Sequence, residues 1–169
     1  MAWAAPAGGG GMTLLSTTTL SGASTQITLS GGYKQYHIVA FGLGNGSAGT
    51  VKFQCNATTN VIDFTNSVFV PGSPYTAGAV DNDYNFIGGG SDTLQTGNTT
   101  NSFVVNIYNP DSTTANKNFE AVSGYYDNSN RRGANQGGGL IKITSALSSI
   151  TFLSGTSFSS GTVLTYGVN

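Results

Sequence analysis

Short segments that alternate between apolar and polar positions run through most of the chain. In the segment ASTQITL, Ala23, Thr25, Ile27 and Leu29 fall on one side of an extended backbone, because the side chains of a β-strand point alternately to opposite faces. The segment YHIVAFGL is apolar at nearly every position, which is typical of a strand that is buried on both faces. The alternation therefore predicts a protein built from β-strands.

Similar segments recur along the chain, including VKFQC, NSFVVNIY, NFEAVSGYY, LIKIT, SSITFL and GTVLTYGV. They are short, and turn residues such as glycine, asparagine and proline separate them. No segment has the 3.6-residue period of an amphipathic helix, and no fixed repeat points to a propeller or a β-helix. We predict an all-β fold, an antiparallel β-sandwich of the jelly-roll-like type. Residues 56–100 and 127–139 are expected to be irregular loops.

The alternation also predicts which side chains form the core. In NSFVVNIY, for example, Phe103, Val105 and Ile107 share one face. We expect the core to contain Ile38, Ala40, Phe53, Phe103, Val105, Ile107, Ile150, Phe152, Leu164 and Tyr166.

The first eleven residues differ from the rest of the chain. They hold Trp3 and Pro6 in a tract of small residues that ends in four glycines, and glycine makes a flexible joint. We expect residues 1–11 to be a flexible N-terminal docking arm and residues 12–169 to be a single jelly-roll-like β-domain. Trp3 and Pro6 are the docking residues, because buried tryptophans often anchor interfaces. The alternative is that the arm lies on its own domain.

Charge is scarce in this sequence. Asp, Glu, Lys and Arg make up 8% of the 169 residues, and the net charge is −1. Nucleic-acid binding needs clustered basic residues, and no apolar run approaches the ~20 residues of a membrane helix, so neither partner is expected. Arg131 and Arg132 form the one dense basic spot. They are either an exposed loop or a docking contact to an acidic partner or a phosphate.

Candidate catalytic and metal-binding residues are few, and we predict no enzyme, no cofactor and no metal site. Cys55 alternates with apolar residues, which indicates a buried core thiol. The one histidine, His37, lies in a different predicted strand. Asp81, Asp83 and Asp92 carry oxygen ligands that suit calcium, but a surface loop is the favoured interpretation.

Four tyrosines lie in or beside polar loops, and we consider them as candidate ligand-facing residues: Tyr75, Tyr84, Tyr125 and Tyr126. A tyrosine ring offers an apolar face and a polar edge, which suits stacking on a sugar. The favoured alternative is that these rings complete a core or an interface.

Three segments of the chain carry a resemblance to a known family. They are GGGGMTLLSTTTLSGASTQITL with YKQYHIVAFGL, then NSFVVNIYNPDSTTANKNFEAVSGYYDN, and last IKITSALSSITFLSGTSFSSGTVLTYGVN. The sequence resembles small bacteriophage virion proteins of the jelly-roll-like tail-fibre and capsid-decoration type. The resemblance covers most of residues 12–169 and is weakest over residues 56–100.

This resemblance implies a non-enzymatic virion structural protein, located on the capsid surface or the tail. The sequence has no heptad or β-helical shaft, so a capsid decoration or cement protein is favoured; a tail-fibre or receptor-binding protein is the alternative, and a carbohydrate-binding module is a further one. The expected partners are other copies of the chain, with a trimer as the leading state by analogy with viral jelly rolls. Other virion proteins, such as the major capsid protein or tail proteins, and a host surface glycan complete the list.

Overall fold

The protein is all-β. The computed structural model describes residues 11–72, 74–86 and 93–169, and within these ranges it contains strands but no helix. The strands are β1 Met12–Thr19, β2 Gly22–Thr28, β3 Gln35–Asn45, β4 Val51–Cys55, β5 Ile62–Phe69, β6 Tyr75–Asn82, β7 Tyr84–Asn85, β8 Asn101–Tyr108, β9 Lys117–Tyr126, β10 Arg132–Ile141 and β11 Ser149–Val168. They pair antiparallel in a sheet that curls on itself, so the predicted sandwich-like, jelly-roll-like class is confirmed.

The last strand, β11, connects two layers of this curled sheet. Its first part pairs with β2 and β4, and its second part pairs with β1 and β3. The register shifts between Leu153 and Phe158, and again on both sides of Ser160, and such bulges bend a strand. The large layer therefore has the order β6-β5-β10-β9-β8-β3-β11-β1, and the small layer has the order β2-β11-β4-β7.

Aromatic rings fill the space between the two layers. Phe53 of β4 meets Phe119 of β9 edge to face at 5.4 Å, and Phe103 of β8 lies 5.1 Å from Phe152 of β11. Phe86 stacks on Phe103 with ring centroids 3.9 Å apart. Because each such pair adds about 0.5–1.5 kcal/mol beyond the area that it buries, these contacts hold the layers together.

Most of the predicted core is confirmed. Ile38, Ala40, Phe53, Phe103, Val105, Ile107, Ile150 and Phe152 are all buried. The prediction is wrong for Leu164 and Tyr166, which are half-buried, whereas Val163 and Thr165 are fully buried. The bulges around Ser160 shift the phase of β11, and a one-residue shift exchanges the two faces of a strand.

Two segments that were expected to be loops contain strands. Residues 56–100 hold β5, β6 and β7, and most of residues 127–139 belong to β10. The glycine and asparagine content of β10 conceals it, because both residues are depleted in strands. β10 pairs with β9 along its whole length and with β5 from Ala134 to Ile141, so pairing on both sides outweighs the local preference for a turn.

Lys117, at the start of β9, is fully buried. Its Nζ lies within hydrogen-bond distance of four carbonyl oxygens, those of Ser112, Ala115, Ile143 and Ser145, at 2.7–3.1 Å. Because an ammonium has three N–H donors, two of these oxygens share one proton. Burial lowers the pKa of the amine. The carbonyl oxygens replace the water molecules that the ammonium loses on burial. Lys117 thereby links the loop before β9 to the loop after β10.

The interlayer aromatic cluster yields a stability prediction. Phe103→Ala should lower the free energy of unfolding by about 3–5 kcal/mol, because it leaves a cavity beneath Phe86 and Phe152. Urea unfolding measures this change. Phe41→Ala is the matched control, since Phe41 is 46% exposed, and it should change stability little. A loss below ~1 kcal/mol for Phe103→Ala would contradict the described packing.

Candidate interaction face

The large layer turns one face to the core and the other, called here the outer face, away from it. Cross-strand pairing places the outer-face side chains in rows. One row is Ser67, Gln136, Val122, Val104, Val39 and Leu164, on β5, β10, β9, β8, β3 and β11. The next row is Thr65, Gly138, Glu120, Asn106, His37, Tyr166 and Leu14.

The exposed hydrophobic side chains concentrate on this face. In the part of the chain that the structure describes, the large hydrophobics that are more than a third exposed are Met12, Leu14, Phe41, Phe69, Tyr108 and Val122. Phe41, Phe69, Tyr108 and Val122 project from the outer face, because each follows a buried residue of its strand. Met12 and Leu14 lie on the same face, because they pair with Val168 and Tyr166 of β11, which alternate with the buried Thr165 and Gly167. The six lie on different strands, and single exposed hydrophobics are common. In the first row, however, Val122 is continued by the half-buried Val104, Val39 and Leu164. A continuous apolar row on one face marks an interaction surface.

A network of polar side chains crosses the middle of the outer face. Oε1 of Glu120 accepts hydrogen bonds from the Tyr108 hydroxyl at 2.5 Å and from Nδ2 of Asn106 at 3.0 Å. Oδ1 of Asn106 accepts from Nε2 of Gln35 at 3.1 Å and lies 2.6 Å from Nδ1 of His37. The hydrogen bond to Glu120 raises the pKa of Tyr108. The network therefore fixes the orientation of polar groups across β3, β8 and β9.

Three consecutive glycines, Gly137–Gly139, lie in β10, and one of them, Gly138, makes the outer face low. A Cβ at Gly139 would lie 1.9 Å from the carbonyl oxygen of Asp63, and one at Gly137 would lie 2.3 Å from Oδ1 of Asn66. Glycine is therefore required for the close approach of β10 to β5. Gly138 points to the outer face and leaves its position in the second row without a side chain.

The low strand forms a furrow, called here the β10 furrow. Three clefts of about 490 Å³ each follow one another along β5 and β10. The first is lined by residues including Asp63, Asn118, Gly138 and Leu140; the middle one by residues including Thr65, Ser67, Glu120, Val122 and Gln136; the last by residues including Phe69, Pro71, Pro74, Arg132 and Ala134.

The two adjacent arginines of the predicted docking site have different roles. Arg131 forms an ion pair with the buried Asp127 at 2.6 Å and holds the turn before β10. Nε of Arg132 donates a hydrogen bond to the Tyr126 hydroxyl at 2.6 Å, and its guanidinium lies 5.6 Å from the centre of that ring. Only Arg132 therefore lies at the end of the β10 furrow, while Arg131 stabilises the loop that leads to it. Trp3 and Pro6 fall outside the described residues.

The candidate ligand-facing tyrosines separate into two groups. The ligand-facing interpretation is wrong for Tyr84 and Tyr125, which are 1% and 5% exposed, so the alternative of a core role holds for both. Tyr84 packs edge to face on Phe119 at 5.1 Å. Tyr126 is half-buried and lies beside Arg132. Tyr75 belongs to β6, and its side chain is outside the described part of the structure.

The described residues assemble no catalytic pair from His37 and Cys55. His37 lies on the outer face, whereas Cys55 is fully buried in the core. Burial raises the pKa of the Cys55 thiol to about 12, so it stays protonated near neutral pH. Nor do the described ranges contain a cluster of three or more histidine, cysteine, aspartate or glutamate side chains with the spacing of a metal site.

Neither the protein-family models nor the curated proteins provide a relative of this chain. No protein-family model matches the sequence, and no curated protein is significantly similar to it. Within the described ranges there is also no helix of the length and apolar character needed to cross a bilayer. The case for function therefore depends on the outer face and on the sequence resemblance.

The loop that leads into β10 should make stability depend on acid. Burial alone would raise the pKa of Asp127, but hydrogen bonds and charge from Arg131 outweigh it, and the pKa is lowered. In the unfolded chain the Asp127 carboxyl has its ordinary pKa of about 3.9. The ionised carboxylate therefore stabilises the fold fully above that pH. This stabilisation is lost as the pH falls through the lower pKa of the folded protein. Asp127→Asn should be less stable at pH 7 and should lose less stability between about pH 5 and 2.

Urea unfolding at several pH values measures this dependence. Glu120→Gln is the control, because Glu120 is exposed on the outer face. If Asp127→Asn kept the acid dependence of the original protein, the pairing of Asp127 with Arg131 would not stabilise the fold.

Proposed function

We propose that this chain is a non-enzymatic structural protein of a bacteriophage virion, and that it decorates the capsid by docking its outer face on the major capsid protein. The observation that carries the proposal is that the exposed large hydrophobic side chains of the described residues all lie on this one face. The resemblance of residues 12–169 to small virion proteins supplies the setting. A large, nearly uncharged sheet face suits permanent attachment, because apolar area is the main favourable term in association.

The arrangement of the N-terminal region supports docking. Residues 1–33 contain no charged residue, so they can be buried against a partner without an unpaired charge. The predicted docking arm leads directly into β1, where Met12 and Leu14 are 53% and 51% exposed. The arm and this end of the outer face are therefore continuous in the chain and are suited to bind one partner together.

The free edge of β1 supports association with further copies of the chain. Among the described strands, β1 pairs with β11 alone, so no described strand covers its other edge. Natural proteins usually protect such edges with charged residues or proline, and the sequence MTLLSTTT contains neither. We propose a homo-oligomer, with a trimer as the leading state, in which this edge is covered.

A tail-fibre or receptor-binding protein is the second candidate function. The polar β10 furrow favours this function, because a surface that only docks on a capsid does not need a polar groove. The number of copies per particle separates the two roles: hundreds of copies are expected on a capsid, and far fewer on a tail.

Incorporation into particles tests the docking proposal. Leu14→Asp places a charge on the outer face and should reduce incorporation at least tenfold, which corresponds to about 1.4 kcal/mol of lost binding. Ala23→Asp is the matched control, because it adds the same charge to an exposed position of β2 in the small layer. Deleting residues 1–11 should leave the strand signal of the β-domain intact and should also weaken incorporation.

The measurement is the ratio of this protein to the major capsid protein on gels of purified particles. Equal incorporation of Leu14→Asp and Ala23→Asp would reject the outer face as the docking surface. Equal incorporation after the deletion would show that the β-domain alone makes the contact.

A further inference from the structure

The β10 furrow has the dimensions of a site for an extended ligand. It follows β10 from Arg132 to Leu140, which is about 26 Å at ~3.3 Å per residue. We propose that the β10 furrow binds a neutral oligosaccharide chain. This inference goes beyond the proposed role in the virion. It is compatible with docking through Met12, Leu14 and Phe41 on β1 and β3, because β8 and β9 separate those strands from β10 and β5 and the furrow then stays open.

The middle of the furrow offers polar groups that the protein itself does not use. The amide of Gln136 and the hydroxyls of Thr65 and Ser67 have no hydrogen-bond partner among the described residues. Glu120 also lines the middle cleft and accepts its two hydrogen bonds through Oε1, so Oε2 has no hydrogen-bond partner among the described residues. Hydroxyl and amide groups both donate and accept, so together with a carboxylate they match the hydroxyl groups of a sugar.

Apolar groups lie beside these polar ones. Val122 flanks the middle cleft and is 51% exposed, and Phe69 flanks the last cleft and is 56% exposed. A sugar ring has an apolar face as well as polar edges, so it can contact such side chains while its hydroxyls form hydrogen bonds. Because Gly138 has no side chain, a ring can also approach the backbone of β10 closely.

The surroundings of the furrow argue against other chain-like ligands. An added peptide strand needs unpaired backbone groups, but β10 is paired with β5 on one side and β9 on the other. Nucleic acid needs clustered positive charge. Arg132 stands at one end alone, and at the other end Lys142 pairs with Asp63 at 3.0 Å. A neutral chain of sugars is the ligand class that fits an interior strand with balanced charge.

Binding to defined glycans tests the inference. The full chain is first applied to an array of bacterial surface polysaccharides together with neutral hexasaccharides of glucose, galactose and N-acetylglucosamine. The dissociation constant of the strongest hit is then measured by calorimetry. Gln136→Ala and Phe69→Ala should each weaken binding at least tenfold.

Two matched controls separate the furrow from the rest of the surface. Gln26→Ala removes an exposed glutamine from β2, and Phe41→Ala removes an exposed phenylalanine from the outer face over β3. Both should bind the hit within about twofold of the original protein, a change of less than 0.5 kcal/mol. If either furrow variant unfolds, Ser67→Arg provides a second test, because it obstructs the furrow from β5 and leaves β10 unchanged.

Four outcomes would overturn the inference. The first is that no neutral glycan binds at millimolar concentration. The second is that Gln136→Ala and Phe69→Ala bind the hit as tightly as the original protein does. The third is that the hits are acidic and their binding depends on Arg132 alone. The fourth is that the furrow variants keep glycan binding but lose particle incorporation, which would make the furrow part of the docking surface. Failure of glycan binding with normal incorporation leaves the proposed virion role intact, so the two proposals fail separately.

Discussion

The backbone pairing of β11 is the constraint on which the rest of the structure depends. Its 20 residues form hydrogen bonds with β2 and β4 at one end and with β1 and β3 at the other. A strand that is paired on both sides at both ends has to bend where its partners change, and its bulges provide that bend. At Gly161, with φ of +140°, a Cβ would also lie 3.0 Å from Leu20. The bend sets the two layers face to face, and the aromatic core follows from it.

The same arrangement determines which surface is left for function. The small layer covers one face of the large layer, and the opposite face keeps exposed hydrophobic side chains beside an ordered polar network. Along β10, the close approach of β5 to Gly137 and Gly139 and of the β9 backbone to Gly138 requires glycine, independently of any ligand. The furrow is therefore a consequence of packing, and its lining residues supply whatever specificity it has.

Much of the fold follows from local alternation in the sequence, because strands with a buried face carry a period of two. Phe53, Phe103 and Phe152 were predicted in the core on that basis and are buried. Leu164 and Tyr166 were misplaced, since a bulge leaves no mark in the pattern of apolar residues. β10 was predicted as a loop because its strand state depends on the pairing partners β5 and β9, which lie far away in the sequence. Because β10 was not predicted as a strand, the furrow along it was not predicted either. The one sequence feature that could have indicated it is the run of three glycines next to the predicted strand LIKIT.

In the proposed role, the outer face of the large layer is the surface by which this protein binds in a virion. A cryo-electron microscopy reconstruction of a particle that carries the protein is the most direct test, because it places each surface of the β-domain against its neighbours. We expect Met12, Leu14 and Phe41 to lie in the contact with the major capsid protein. Contact through β2, β4 and β7 of the small layer, with the outer face open to solvent, would contradict it.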